Sequence, residues 1–158
     1  MKLPSILWDR NSTEAPLKQL VRLVDQKQSQ GRPSIPSHAR VKPVFRDSTA
    51  NELTSAIIAF FNSQGGLAER INNMGRQVNR KGSTIWVYGT GTNGTADIGV
   101  CFQGISLKVE VKAGTDRQSD AQKEYQKRIE SAGGIYIIAR SFDGFIHEFF
   151  RAMEGRLS

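Results

Sequence analysis

At 158 residues, with 38% apolar and 23% charged residues, the chain has the size and make-up of one ordinary domain with a real core. The longest apolar runs, residues 56–61 and 135–139, are too short for a bilayer-spanning helix. The lone Cys101 excludes an internal disulfide framework, and with His38 and His147 as the two histidines no Cys/His zinc cluster can form. The net charge of +7 is uneven: residues 1–50 hold nine Lys or Arg against four Asp or Glu. A basic segment of this kind suits a polyanion such as nucleic acid, or is simply a solvated surface. The opening MKLPSILWDR lacks the long apolar stretch of a secretion signal, so a cytoplasmic location is expected.

In chain order, residues 13–28 place Leu17, Leu20, Val21 and Val24 at helical spacing, after a Ser12 or Thr13 cap and an early Pro16. Residues 29–47 carry Gly31, Pro33, Pro36 and Pro43 among basic residues without periodicity and read as an extended connector. Residues 1–47 are therefore expected to be a basic arm, and 48–158 the compact domain. Thr49 and Glu52 fit a capping box, followed by a stripe of Leu53, Ala56, Ile57, Phe60 and Phe61 and a stop at Gly65-Gly66. The polar residues 67–83 read as either a strand pair or a loop; residues 85–88 are a firmer strand. Residues 97–102 and 105–112 predict a hairpin. Ser119 and Gln122 fit a second capping box, opening a helix to about Ser131 with Ala121, Tyr125, Ile129 and Ala132 as its buried line. After Gly133-Gly134, residues 135–139 read as a strand covered on both faces, and a helix over residues 142–154 closes the chain. The order α, β, β, β, α, β predicts an α/β fold with a mixed central sheet flanked by helices. Cys101 falls mid-strand and is expected to be a small buried hydrophobe. His147 is expected to be structural.

The hairpin carries the chemistry. Residues 106–112 (SLKVEVK) alternate, so Lys108, Glu110 and Lys112 share the face opposite Leu107, Val109 and Val111. A two-residue turn at Gln103-Gly104 makes paired residue numbers sum to 207 and sets Asp97 opposite Glu110. Two carboxylates with Cβ atoms roughly 5 Å apart repel. A hard divalent ion, which takes one or two carboxylates and keeps several waters, turns that repulsion into binding. Gly89, Gly91 and Gly94 match the dinucleotide pattern G-x-G-x-x-G, but that pattern must open a helix and here it leads into a strand. A close backbone approach to a bulky ligand explains these glycines better.

These features together resemble the PD-(D/E)xK nuclease superfamily, and within it the small stand-alone VRR-NUC nucleases common in phages. The resemblance runs from residue 48 to about 140 and rests on order and spacing: a helix bearing Glu52, then Gly94-Thr-Ala-Asp97, then Val109-Glu-Val-Lys112, then Ser119-Asp-Ala-Gln122, then Gly133-Gly-Ile-Tyr-Ile-Ile138. Ala96 departs from the proline of the family pattern, but the chemistry requires the carboxylate and not the ring. The resemblance implies a restriction-endonuclease-like fold with an αβββαβ core and a divalent-metal-dependent endonuclease, structure-selective for branched DNA such as Holliday junctions, in a bacterial or phage-infected cell.

It further implies that Asp97 and Glu110 hold Mg²⁺ or Mn²⁺, with the carbonyl of Val111 as a further ligand. Lys112 orients water or binds the phosphate, or else is a structural salt bridge to Glu110 or Asp97. Glu52 is an accessory metal or water ligand, and Gln122 helps place the lysine or a phosphate. Capping boxes account for both without catalysis. Arg70, Arg76, Arg80 and Lys81 are candidate phosphate contacts, and Asn72 and Asn73 candidate sugar or base contacts, against the reading of a solvated loop. A homodimer is expected for symmetric cutting of two strands, with the first helix as a candidate dimer contact. The rival readings are a non-catalytic nucleic-acid-binding protein on the same fold, and a subunit that docks on a protein partner through its basic arm.

Overall fold

The structure is a computed structural model, and it describes residues 7–71, 76–80, 82–87 and 92–156. Its elements are α1 (Pro16–Gly31), α2 (Ala50–Ser63), β1 (Leu67–Arg70), β2 (Arg76–Arg80), β3 (Ser83–Val87), β4 (Ile98–Phe102), β5 (Ile105–Val111), α3 (Asp120–Ser131), β6 (Ile135–Ala139) and α4 (Phe142–Glu154). Four strands form one mixed sheet in the order β1-β4-β5-β6, antiparallel except for the parallel pair β5/β6. The parallel step is bridged by α3, as a parallel connection requires. The fold is α/β, with helices packed against a mixed sheet as expected.

The β4/β5 hairpin has the predicted register, with Ile98 opposite Val109 and Phe102 opposite Ile105. Its two turn residues both adopt positive φ, 52° at Gln103 and 77° at Gly104. Such a primed turn matches the twist of the flanking strands. One strand assignment needs correction. The first strand of the sheet is β1; residues 85–87 of the run expected as a strand over 85–88 belong to β3, which pairs with β2 in a separate two-stranded ladder, and Tyr88 lies outside the described residues. β1 is an edge strand that buries Ala68 alone of its four residues, so it carries no alternating apolar pattern.

One face of the sheet carries the core. Leu107, Val109 and Val111 of β5, Ile98, Val100 and Phe102 of β4, and Ile135, Ile137 and Ala139 of β6 point to it and are buried. The predicted α2 stripe, Leu53, Ala56, Ile57, Phe60 and Phe61, packs there together with Phe142, Phe145 and Phe149 of α4. Phe60 meets Phe61, Phe145 and Phe149 edge-on at 5.2–5.6 Å between ring centroids, a geometry that adds to simple area burial.

Residues expected as an arm contribute to this same core. Leu20 and Leu23 of α1 are buried, and Trp8 packs edge-on against Phe60 at 5.4 Å and Phe142 at 6.1 Å. The apolar face of α1 therefore packs against the core of its own chain. The helix starts after Ala15 with Pro16 in its first turn and no side-chain cap; the Ser12 hydroxyl instead accepts from the Glu14 N–H. Residues 32–47 hold one short 3₁₀ turn, Ser37–Ala39, and otherwise no regular structure.

The opposite face is sparsely covered. There α3 buries none of its residues completely, so the expected line Ala121, Tyr125, Ile129 is only half-buried and Ala132 is exposed. Cys101 points to this face and is exposed, contrary to the expected small buried hydrophobe. Ile138 is likewise exposed, so β6 is not covered on both faces along its whole length. His147, on α4, is exposed. Among the described residues, no helix is long and apolar enough to cross a membrane.

Candidate active site on the open sheet face

β5 presents Glu110 and, just past its end, Lys112 to the sparsely covered face, yet both side chains are buried, with 2% and 6% exposure. What encloses them is polar. The Lys112 ammonium lies 3.1 Å from Glu110 Oε1, 3.0 Å from Gln122 Oε1 and 3.3 Å from Asp116 Oδ2. Gln122 in turn donates its side-chain N–H to Glu110 Oε1, and its oxygen also accepts from the Ser119 N–H at 2.9 Å. The capping box read from the sequence is thus present, and the side chain that closes it is the one that braces the ion pair. The two readings of Gln122 coexist in one residue.

Asp97 enters from the adjoining strand. Its Oδ2 accepts the Val111 N–H at 2.8 Å, and its backbone carbonyl accepts from the Ile71 N–H at 2.7 Å. The hairpin register continued by one residue sets it opposite Glu110. Burial, and after it the charge of Asp97, push the Glu110 carboxyl above its ordinary range, with Lys112 opposing both. For Lys112, burial alone would lower the value; hydrogen bonding and attraction to Glu110, then Asp116, outweigh it and hold the ammonium charged. The ion pair offsets the burial of Glu110 only in part.

Two partners were not legible as site residues. Tyr136 on β6 sits beside Glu110, its hydroxyl donating to Oε2 at 3.4 Å. Burial, then Glu110, push the phenol well above its usual range, so it acts as a donor. The signal available was a single tyrosine within an otherwise aliphatic strand. Asp116 lies four residues beyond Lys112 in an irregular loop, where spacing carries no geometric meaning.

Glu52 is not gathered with Asp97 and Glu110. It closes the predicted capping box of α2, with Oε2 accepting from the Thr49 N–H at 3.1 Å and hydroxyl at 3.2 Å. Among the described residues, no three Asp, Glu, His or Cys side chains come together as a metal-holding group. Asp97 and Glu110 stand as a pair, with the Val111 carbonyl in the same strand. This all-oxygen donor set fits a hard divalent ion, which relieves both the repulsion and the burial cost at Glu110.

Of the candidate nucleic-acid contacts, Arg70 is exposed at the end of β1 and donates to Asn51 Oδ1. Arg76 and Arg80 fall on β2. Asn72, Asn73 and Lys81 lie outside the described residues, as do Tyr88, Gly89 and Gly91. Gly94 makes a close approach, but to protein: a Cβ there would lie 2.2 Å from the Ala121 carbonyl oxygen and 2.7 Å from the Gln122 nitrogen, and its φ is +77°. The glycine lets the loop before β4 pack against the start of α3. A separate cleft of about 840 Å³, lined by Trp8, Arg10, Ile138, Arg140, His147 and Phe150 among others, includes none of Asp97, Glu110 and Lys112.

No protein-family model matches the chain, and no curated protein is significantly similar to it. A paired carboxylate set, a charged lysine held beside it and a helix-borne amide suit a reaction in which negative charge builds on an anionic substrate.

Proposed function

We propose that this chain is a divalent-metal-dependent nuclease that hydrolyses phosphodiester bonds in DNA. The observation that carries the reading is the buried Lys112 ammonium, 3.1 Å from Glu110 and 3.0 Å from Gln122, on the strand facing Asp97. A buried ion pair is weak support for stability and is costly to retain, so its place beside a second carboxylate favours a chemical role. Asp97, Glu110 and the Val111 carbonyl would hold Mg²⁺ or Mn²⁺. When bound, such an ion supplies a more acidic water and neutralises charge on the scissile phosphate. Lys112 meets a non-bridging phosphate oxygen as that charge grows, while Gln122 and Tyr136 hold Glu110 in place.

In the reaction a water oxygen bonds to phosphorus and the ester P–O bond breaks. The products are a phosphate monoester and a hydroxyl, and the water proton passes to the leaving oxygen or to solvent. The basic balance of residues 1–50 and exposed Arg70 suit the polyanion. Branched DNA is the substrate class to test first, because the chain offers no separate sequence-reading module among its described elements.

Purified protein incubated with a four-way junction, a flap and linear duplex in Mg²⁺ or Mn²⁺ tests the proposal. Metal-dependent cleavage should vanish in Asp97→Ala and in Glu110→Ala. Cleavage that survives either substitution sinks this site. A binding-only reading is favoured by one observation, the engagement of Lys112 by three acceptors; salt-sensitive binding without cleavage under any metal supports it instead.

A further inference from the structure

We infer that Asp116 is a latch on Lys112: its carboxylate holds the position on the ammonium that a nucleic-acid phosphate oxygen takes when substrate binds. This rests on the nuclease reading above. An ammonium has three N–H donors, and the three acceptors around Lys112 Nζ are not equivalent. Glu110 and Gln122 sit on β5 and α3 and bond to each other. Neither can leave without dismantling the site. Asp116 is on the loop between β5 and α3, makes the longest of the three contacts at 3.3 Å, and its side chain is 60% exposed against 7% for that of Lys112. Of the two carboxylates on Lys112, Asp116 is the one that solvent, and a ligand arriving from it, can reach.

The loop itself is braced. Arg140, just after β6, donates to the carbonyls of Gly114 at 2.8 Å and Asp116 at 2.7 Å, and the Asp116 N–H donates to the Ala113 carbonyl at 3.0 Å. With the backbone held at these points, release of Lys112 requires only that the Asp116 side chain turn outward. The exchange replaces one anionic oxygen by another, so the buried ammonium keeps a charged partner in both states. An anion that cannot compete with Asp116 is refused. The latch therefore lowers affinity for nucleic acid while raising the threshold for occupation of the site.

Equilibrium binding of a fluorescent four-way junction and of linear duplex, followed by anisotropy in EDTA, tests this with the full chain. Asp116→Asn should tighten binding by about fivefold, the upper range for an exposed ion pair. Asp116→Glu should restore near wild-type affinity. Asp120→Asn makes the same charge change in the first turn of α3, where it frees exposed Lys123, and should give less than half that gain. In a Lys112→Gln background Asp116→Asn should have no effect. If Lys112→Gln proves unfolded by circular dichroism, the comparison with Asp120→Asn decides. No gain, an equal gain from Asp120→Asn, or a gain that persists without Lys112 overturns the latch. Wild-type protein that binds no DNA at any salt overturns the nuclease reading and the latch together.

Discussion

The carboxylate of Asp97 accepts the backbone N–H of Val111 at 2.8 Å, and so reaches the strand that carries Glu110 and Lys112. An asparagine can accept the same bond through its amide oxygen, which separates the charge of Asp97 from its structural role. In metal-free protein Asp97→Asn is expected to be neutral to stabilising, by up to about 1 kcal/mol, because it removes repulsion on Glu110 while keeping the bond. Thermal melts in EDTA should show it; on the proposed metal site, Mn²⁺ is expected to raise the melting temperature of the wild type and not that of Asp97→Asn. Destabilisation in EDTA, or an unchanged metal response, counts against the paired-carboxylate site.

The same charges set the pH response. Glu110 has its carboxyl raised in the folded chain by burial and then by Asp97. The native state thus holds that proton more tightly than the unfolded chain, and stability falls as pH rises from the ordinary glutamate range through the raised value. Asp97→Asn removes one of the two causes and should flatten this slope. Melting temperatures across mildly acidic pH in EDTA measure it; a steeper slope in the variant contradicts the assignment.

Gln122 joins Lys112, Glu110 and the Ser119 backbone. Gln122→Ala should cost about 1–3 kcal/mol, since it leaves buried charged groups with fewer partners and opens the capping box. Urea unfolding gives the value. A loss within error of zero shows that water or a neighbour replaces the amide at no cost.

Gly94→Ala places a methyl group against the start of α3, at a position with φ +77°. The helix must shift and carry Gln122 with it. The expected result is a loss of cleavage greater than tenfold, alongside a clear loss of stability at a strained left-handed site. Full activity would mean that the approach of the loop to α3 does not position the site.

Trp8→Ala is expected to destabilise the chain by about 3 kcal/mol or more, the range for a buried large aromatic. Removal of residues 1–47 should be worse, because Leu20 and Leu23 leave the same core. Chemical denaturation of both variants checks this. A truncated chain as stable as the whole would show that the aromatic contacts of Trp8 with Phe60 and Phe142 add nothing.

The parts of this molecule legible in the sequence share a cause. The α2 stripe, both capping boxes, the two-residue turn and α4 are each written in local spacing, and each is found where that spacing puts it. Asp97, Glu110 and Lys112 could be assembled for the same reason, since one turn fixes their relation, whereas Gln122 is tied to them in the sequence by the family resemblance alone. What eluded the sequence depends on neighbours distant along the chain. β1 takes its place from β4, and the burial of Trp8 comes from rings more than fifty positions away. Tyr136 and Asp116 join the site through a parallel strand and an irregular loop, neither of which leaves a periodic mark.

The sheet divides its work by side. Phenylalanines and aliphatic residues crowd one surface, while Glu110, Lys112, Tyr136 and Cys101 stand on the other under thin cover. Neighbouring positions along β5 alternate between these surfaces, so Lys108 and Glu110 face away from the packing of Leu107, Val109 and Val111. Along β5 the polar cluster and the apolar core thus occupy alternate residues of one strand, one set on each side of the sheet.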